Sequence, residues 1–177
     1  LSTLERLLER QERWSDLVKL WRDRLPALSG SEVLAARLRI ASVALDQLHD
    51  RSTAVTELRA ILAEAPGHSG ACELLERVLS DESADLELRQ DVLVQLRKSY
   101  VAADRLDDIV RVLGLAVSFV SESERARFTR ELGSRLAILG RDDEAIARYA
   151  ELLIADPADP DARRQLRQLA ERSGRHD

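Results

Sequence analysis

Apolar side chains recur at three- and four-residue spacings along nearly the whole chain, with polar and charged residues between them. That period sets one face of an α-helix against a core and leaves the other to water. Leu1, Leu4, Leu7 and Leu8 share one such face. Leu17, Val18, Trp21 and Leu25 form a second, and Leu34, Leu38, Ala41, Leu45 and Leu48 a third. No run of strict alternation in a β-rich setting interrupts the pattern. It predicts ten helices, near 1–11, 14–25, 31–48, 51–65, 68–80, 84–103, 105–120, 122–139, 142–155 and 159–173.

The breaks have local causes. Ser29-Gly30-Ser31-Glu32 and Ser121-Glu122-Ser123-Glu124 each place Glu three residues after Ser, so a capping box is expected at both. Pro26 is expected to push Leu25 out of the helical region and end the second helix. Pro66-Gly67 and Asp156-Pro157 stop two more, and Asp159-Pro160 supplies a cap and a first-turn proline. Ser80-Asp81-Glu82-Ser83 reads as a polar turn. Connections this short set neighbouring helices antiparallel.

The chain also repeats itself. A shift of 92 residues places Arg13, Asp16, Val18, Ser29, Ser31 and Glu32 on Arg105, Asp108, Val110, Ser121, Ser123 and Glu124. A shift of 91 places Ala35, Leu45, Leu48, Ala54, Leu62 and Pro66 on Ala126, Leu136, Leu139, Ala145, Leu153 and Pro157. Two related five-helix blocks, 1–82 and 83–177, are therefore expected. Within each block a period of 36 to 37 residues makes Leu17, Ala54, Ile109 and Ala145 equivalent, and Trp21, Leu58, Leu113 and Tyr149 four residues later.

Leu132-Gly133, Leu136, Gly140, Ala145, Tyr149 and Pro157 have the spacing of a tetratricopeptide (TPR) unit, a helix–turn–helix of 34 residues. The chain resembles that family most over about 126–159 and more loosely over 31–68. The resemblance implies an all-α solenoid of antiparallel helix hairpins. Gly133 and Ala145 would sit where two helices approach closely, Tyr149 would fill the groove behind them, and Pro157 would end the second helix. The fifth helix of each block, 68–80 and 159–173, resembles the solvating helix that closes such arrays. The chain is also similar to the long Arg- and Ala-rich repeat proteins of bacteria with high GC content.

Composition agrees with helix. Of 177 residues, 31 are Leu, 23 Ala and 25 Arg, whereas aromatics make up only 3%. Net charge is −5, which opposes a nucleic-acid surface. No apolar stretch is long enough to span a membrane and no signal peptide is visible, so a cytoplasmic chain is expected. Without a starting Met, the chain is expected to be processed or excised from something larger. Cys72 has no partner for an internal disulfide.

Candidate chemistry is sparse. His49, His68 and His176 have no second ligand at a metal spacing, and Cys72 reads as a small core residue. The glycines form no phosphate loop. Asp107-Asp108 and Asp142-Asp143-Glu144 fall at predicted helix N-termini, where negative charge complements the dipole. Glu9–Arg13, Glu73–Arg77 and Glu144–Arg148 have the i,i+4 spacing of helix-surface ion pairs. Trp21 takes a core role by equivalence with Tyr149, and Trp14 lies on the same face. No catalytic residue, metal or cofactor is expected.

By the repeat register, the first helix of each hairpin lines a concave surface. Arg6, Arg39, Lys98, Arg127 and Arg130 project from it, with Ser134 close by, and Arg39, Lys98, Arg127 and Arg130 are the candidate peptide-binding residues. TPR domains of the chaperone-binding class use Lys and Asn there to clamp a C-terminal carboxylate. The equivalent Asn positions here hold Arg6, Val43, Lys98 and Ser134, so that clamp is not expected. The expected function is a non-catalytic scaffold or adaptor for another protein or an acidic peptide. The alternative is a structural spacer or self-association module, since the stripe of Leu1, Leu4, Leu7 and Leu8 has no preceding helix to cover it.

Overall fold

The computed structural model describes residues 2–174, so the expectations placed on Leu1 and His176 lie outside the described residues. The elements are α1 (Thr3–Arg10), α2 (Trp14–Arg24), a 3-10 turn (Leu25–Ala27), α3 (Ser31–Asp46), α4 (Arg51–Glu64) and α5 (Ser69–Ser80). Then come α6 (Leu86–Ala102), α7 (Leu106–Val117), α8 (Glu122–Ile138), α9 (Asp142–Ala155) and α10 (Pro160–Arg172). Among the described residues every regular element is helical. The chain divides into two compact units, Leu1–Gln95 and Leu96–Asp177. That division falls inside α6, whereas the block boundary expected from the sequence repeat precedes it.

In the first unit, Leu8, Leu17, Val18, Trp21 and Ile40 form a buried cluster, with Trp14, Leu20, Leu25, Val43 and Leu48 packed against it. α4 and α5 add Leu58, Ile61, Leu75 and Leu79, all fully buried. In the second unit Leu96, Tyr100, Val112, Leu113, Leu136, Tyr149 and Leu152 play the same part. Burying one such side chain contributes about 1.5–3 kcal/mol. The repeat register holds throughout: Leu17, Ala54, Ile109 and Ala145 are buried, and so are Trp21, Leu58, Leu113 and Tyr149.

The hairpin turns repeat as well. Glu12, His49, Asp104 and Gly140 each adopt a left-handed backbone, with φ of 54°, 52°, 53° and 73°. Each stands immediately before the N-cap of the hairpin's second helix. At three of the turns the N-cap amide reaches back five residues, from Arg13 to Leu8, Arg105 to Tyr100 and Arg141 to Leu136. This closes the preceding helix in the manner of a Schellman motif. The N-cap arginine then grips the acid three residues on: Arg13 to Asp16 at 2.7 Å, Arg105 to Asp108 at 2.5 Å, Arg141 to Glu144 at 2.7 Å. The acids expected at helix starts are thus tethered there.

The turns before the fifth helices also match. Ala65 (φ −132°, ψ 80°) and Asp156 (φ −135°, ψ 93°) leave the helix. His68 (φ −54°, ψ 112°) and Asp159 (φ −57°, ψ 108°) then cap α5 and α10. Each pair is related by the 91-residue shift. The same shift relates the Arg51–Asp81 and Asp142–Arg172 ion pairs, in which the charges are exchanged.

Several local expectations fail. Gly30, at φ 54°, is the N-cap of α3 and makes no side-chain cap, so Ser29 forms no capping box. Ser121 caps α8 by position only, because its hydroxyl donates to Glu124 Oε2 at 2.7 Å instead of accepting a backbone amide. The one complete capping box described joins Ser2 and Glu5. Leu25 remains helical at φ −49°, ψ −42°, since Pro26 is absorbed into the 3-10 turn. Arg13, Arg77 and Arg148 bond to Asp16, Asp46 and Glu151, not to the i,i+4 glutamates. Exposed pairs differ by only about 0–1 kcal/mol, so rotamer reach selects the partner.

At Gly133, α8 lies tight against α9. A Cβ added there would lie 3.1 Å from Tyr149 Cε2 and 3.2 Å from its Cζ. Gly133→Leu and Ala145→Leu should each cost about 1–3 kcal/mol or more through overpacking. Asp143→Ala should cost less than about 1 kcal/mol. Urea melts of the three variants check the order, and the reverse ranking would contradict the register.

Candidate functional site

The first helices of the hairpins carry the candidate cations, and the two units treat them differently. In the second unit, Arg97 of α6 reaches Glu131 of α8 at 2.6 Å and ties the two helices together. Two guanidinium groups approach the ring of Phe128, Arg97 at 5.6 Å and Arg127 at 5.1 Å from its centroid. Arg127 keeps 69% of its side chain exposed, and its ion pair among the described residues is with Glu124, at 4.0 Å. Stacking on Phe128 holds this charge outward at small entropic cost. Lys98 and Ser134 are also exposed.

Arg130 differs from expectation. It is half-buried and paired with Asp159, the N-cap of α10, so its charge already serves the fold. Asp159 is buried and accepts from the amides of Asp161 and Ala162 at 3.0 Å. The Ala162 amide chiefly, with Arg130 after it, holds the Asp159 carboxyl below its ordinary range.

In the first unit, Arg6 and Arg39 are exposed. Arg39 and Trp21 line a cavity of about 330 Å³ between α1, α2 and α3, and a second of about 270 Å³ beside them. Trp21 was expected in the core, and it is there; its role in a cavity wall was not legible. Glu57 was missed altogether. It is buried on α4 and accepts from Arg22 of α2 at 3.0 Å and Arg37 of α3 at 2.6 Å, so it joins three helices. Its place within an apolar face, between Val55 and Leu58, was the available signal.

His49, His68 and Cys72 have structural roles. His68 Nδ1 accepts from the Ala71 amide at 3.3 Å. His49 occupies a left-handed turn and Cys72 is buried. Among the described residues no group of three His, Cys, Asp or Glu could hold a metal ion, and no helix is long and apolar enough to cross a membrane.

No family model matches the chain. No curated protein matches it. Among solved structures it is similar to MamA of AMB-1, at 22% identity over 90% of this chain and 84% of that one, with a TM-score of 0.46. It is similar to YrrB, described as a TPR protein with an unusual peptide-binding site, at 17% identity over 99% and 86%, TM-score 0.45. TTC0263, a thermophilic TPR protein of Thermus thermophilus, matches at 19% identity over 94% and 95%, TM-score 0.36. The chain is a helical-repeat protein in architecture, by its own recurring turns and buried register.

Acid should unfold this arrangement through particular carboxylates. The Ser83 hydroxyl and Arg51 hold Asp81 down from 3.8 to about 2. A depressed carboxylate stabilises the fold above its unfolded pKa and loses that contribution as pH falls through the folded value. Stability should therefore drop between about pH 4 and pH 2. Asp81→Asn should flatten that part of the profile in urea melts. An unchanged slope would show that the Arg51–Asp81–Ser83 cluster does not form in solution.

Proposed function

We propose that this chain is a non-catalytic scaffold or adaptor that holds a segment of another protein on the exposed faces of its hairpin-first helices. Arg127 carries the reading: it is a largely exposed charge beside an aromatic ring, and its one ion pair among the described residues, to Glu124, is long at 4.0 Å. Arg39 and Lys98 extend the reading to α3 and α6, while Arg130 supports the helix that follows. An acidic or mixed peptide suits such cations. The two blocks 1–82 and 83–177 are read as a tandem duplication, and the chain as a cytoplasmic one, where a lone thiol stays reduced.

Random ten-residue peptides displayed on phage and panned on the whole chain test this. Enriched peptides should bind about tenfold more weakly to Arg127→Glu and lose affinity as salt rises, because exposed charges are screened beyond about 8–10 Å. Helical circular dichroism should be unchanged. No enrichment over bare support would overturn the reading. So would peptides indifferent to Arg127→Glu and Arg39→Glu but lost with Arg163→Glu and Arg164→Glu on α10.

A second reading rests on α1. Leu4 and Leu7 are 47% and 49% exposed, although Leu8 beside them is buried in its own unit. Self-association through that face should make the apparent mass rise with concentration in light scattering, and Leu4→Ser with Leu7→Ser should suppress the rise. A constant monomer mass would sink it.

A further inference from the structure

Two residues of the first unit depart from their counterparts in the second, and both bear on one groove. Under the 91- and 92-residue shifts, Arg39 corresponds to Arg130, His68 to Asp159, and Trp21 to Leu113. In the second unit Arg130 is neutralised by Asp159. In the first, the equivalent cap is His68, which offers no carboxylate and accepts from the Ala71 amide. Arg39 is left without an ion pair among the described residues. The leucine is replaced by an indole, only 6% exposed, whose buried Nε1 has no acceptor. A buried donor without a partner is a standing cost to a fold, and such groups mark places where something else supplies the bond.

Trp21 and Arg39 both line the 330 Å³ cavity and both line its 270 Å³ neighbour. We propose that this groove binds a short extended segment of a partner protein carrying a single carboxylate among apolar residues. The carboxylate takes on Arg39 the place that Asp159 takes on Arg130, and a backbone carbonyl of the segment accepts from Trp21 Nε1. The inference rests on the scaffold reading and deepens it. Arg24 is already tied to Glu5 at 2.5 Å, so Arg39 is the cation that remains. Leu28, Ala35 and Ala36 favour small apolar neighbours, while Glu9 and Glu32 on the walls oppose a run of acids. Nε1 is shielded from solvent, so engagement turns the indole toward the groove, and its emission reports the event.

The probes are six-residue peptides of alanine and leucine, blocked at both ends, with one central glutamate or one central glutamine. In a Trp14→Phe background the glutamate peptide should shift Trp21 emission and bind about tenfold more tightly than the glutamine peptide. Arg39→Gln should remove that preference. His68→Asp should remove it too, by restoring in the first unit the pair that Arg130 makes in the second. Asp is a good N-cap, so the melt of His68→Asp should not weaken. Equal binding of the two peptides, or a preference that survives His68→Asp, would overturn the proposal, as would tighter binding of hexaglutamate. If the panned peptides still bind through Arg127 while the glutamate preference is absent, this inference fails and the scaffold reading stands. If neither kind of peptide binds, both fall.

Discussion

Two helices can pack only as closely as the smallest side chains between them allow, and the α3–α4 and α8–α9 hairpins are built around that limit. Gly133 on α8 admits the ring of Tyr149 from α9 within van der Waals contact. Ala145, one turn earlier on α9, is fully buried in the same seam. In the first unit Ala54 and Leu58 hold the corresponding positions on α4, and both are buried. A small residue followed four positions later by a large one fixes how the second helix lies against the first. The left-handed turn residue then sets where the second helix begins. Cations, caps and cavities are mounted on the helices that this seam joins.

The two units share these constraints yet differ in the polar groups mounted on them. Arg51–Asp81 and Asp142–Arg172 occupy equivalent positions with their charges exchanged. That exchange is intelligible because a half-exposed ion pair contributes little and only its geometry is demanded, so either polarity serves. The N-cap position before α5 and α10 tolerates His68 in one unit and Asp159 in the other for a similar reason, since either side chain can accept a backbone amide. The caps serve alike, yet the neighbouring helices differ: Asp159 also neutralises Arg130, while Arg39 makes no ion pair among the described residues.

Helix positions were legible because amphipathic periodicity is a property of each segment alone. The buried register at Leu17, Ala54, Ile109 and Ala145 was legible because the repeat places the same packing demand at each. Side-chain partners were not. Arg77 joins Asp46 and Arg24 joins Glu5 across helices, and a single sequence holds no sign of which acid a long side chain reaches. The caps at Ser29 and Ser121 misled because their sequence pattern is permissive, and Gly30 took the cap position through its left-handed backbone. Arg130 looked like a free cation since its partner lies 29 residues away, at a cap whose own role was read correctly. Trp21 was placed in the core, but an orphaned indole nitrogen is a fact of three dimensions.

Native-state hydrogen exchange tests the claim that helix seams are the units from which the molecule is built. The amides of α3 and α4 should open together, as should those of α8 and α9, each pair with one shared free energy and one shared denaturant dependence. Gly133→Ala should lower the protection of α8 and α9 alike while leaving α3 and α4 unmoved. Separate opening of α8 and α9, or a loss of protection in α8 alone, would contradict the account.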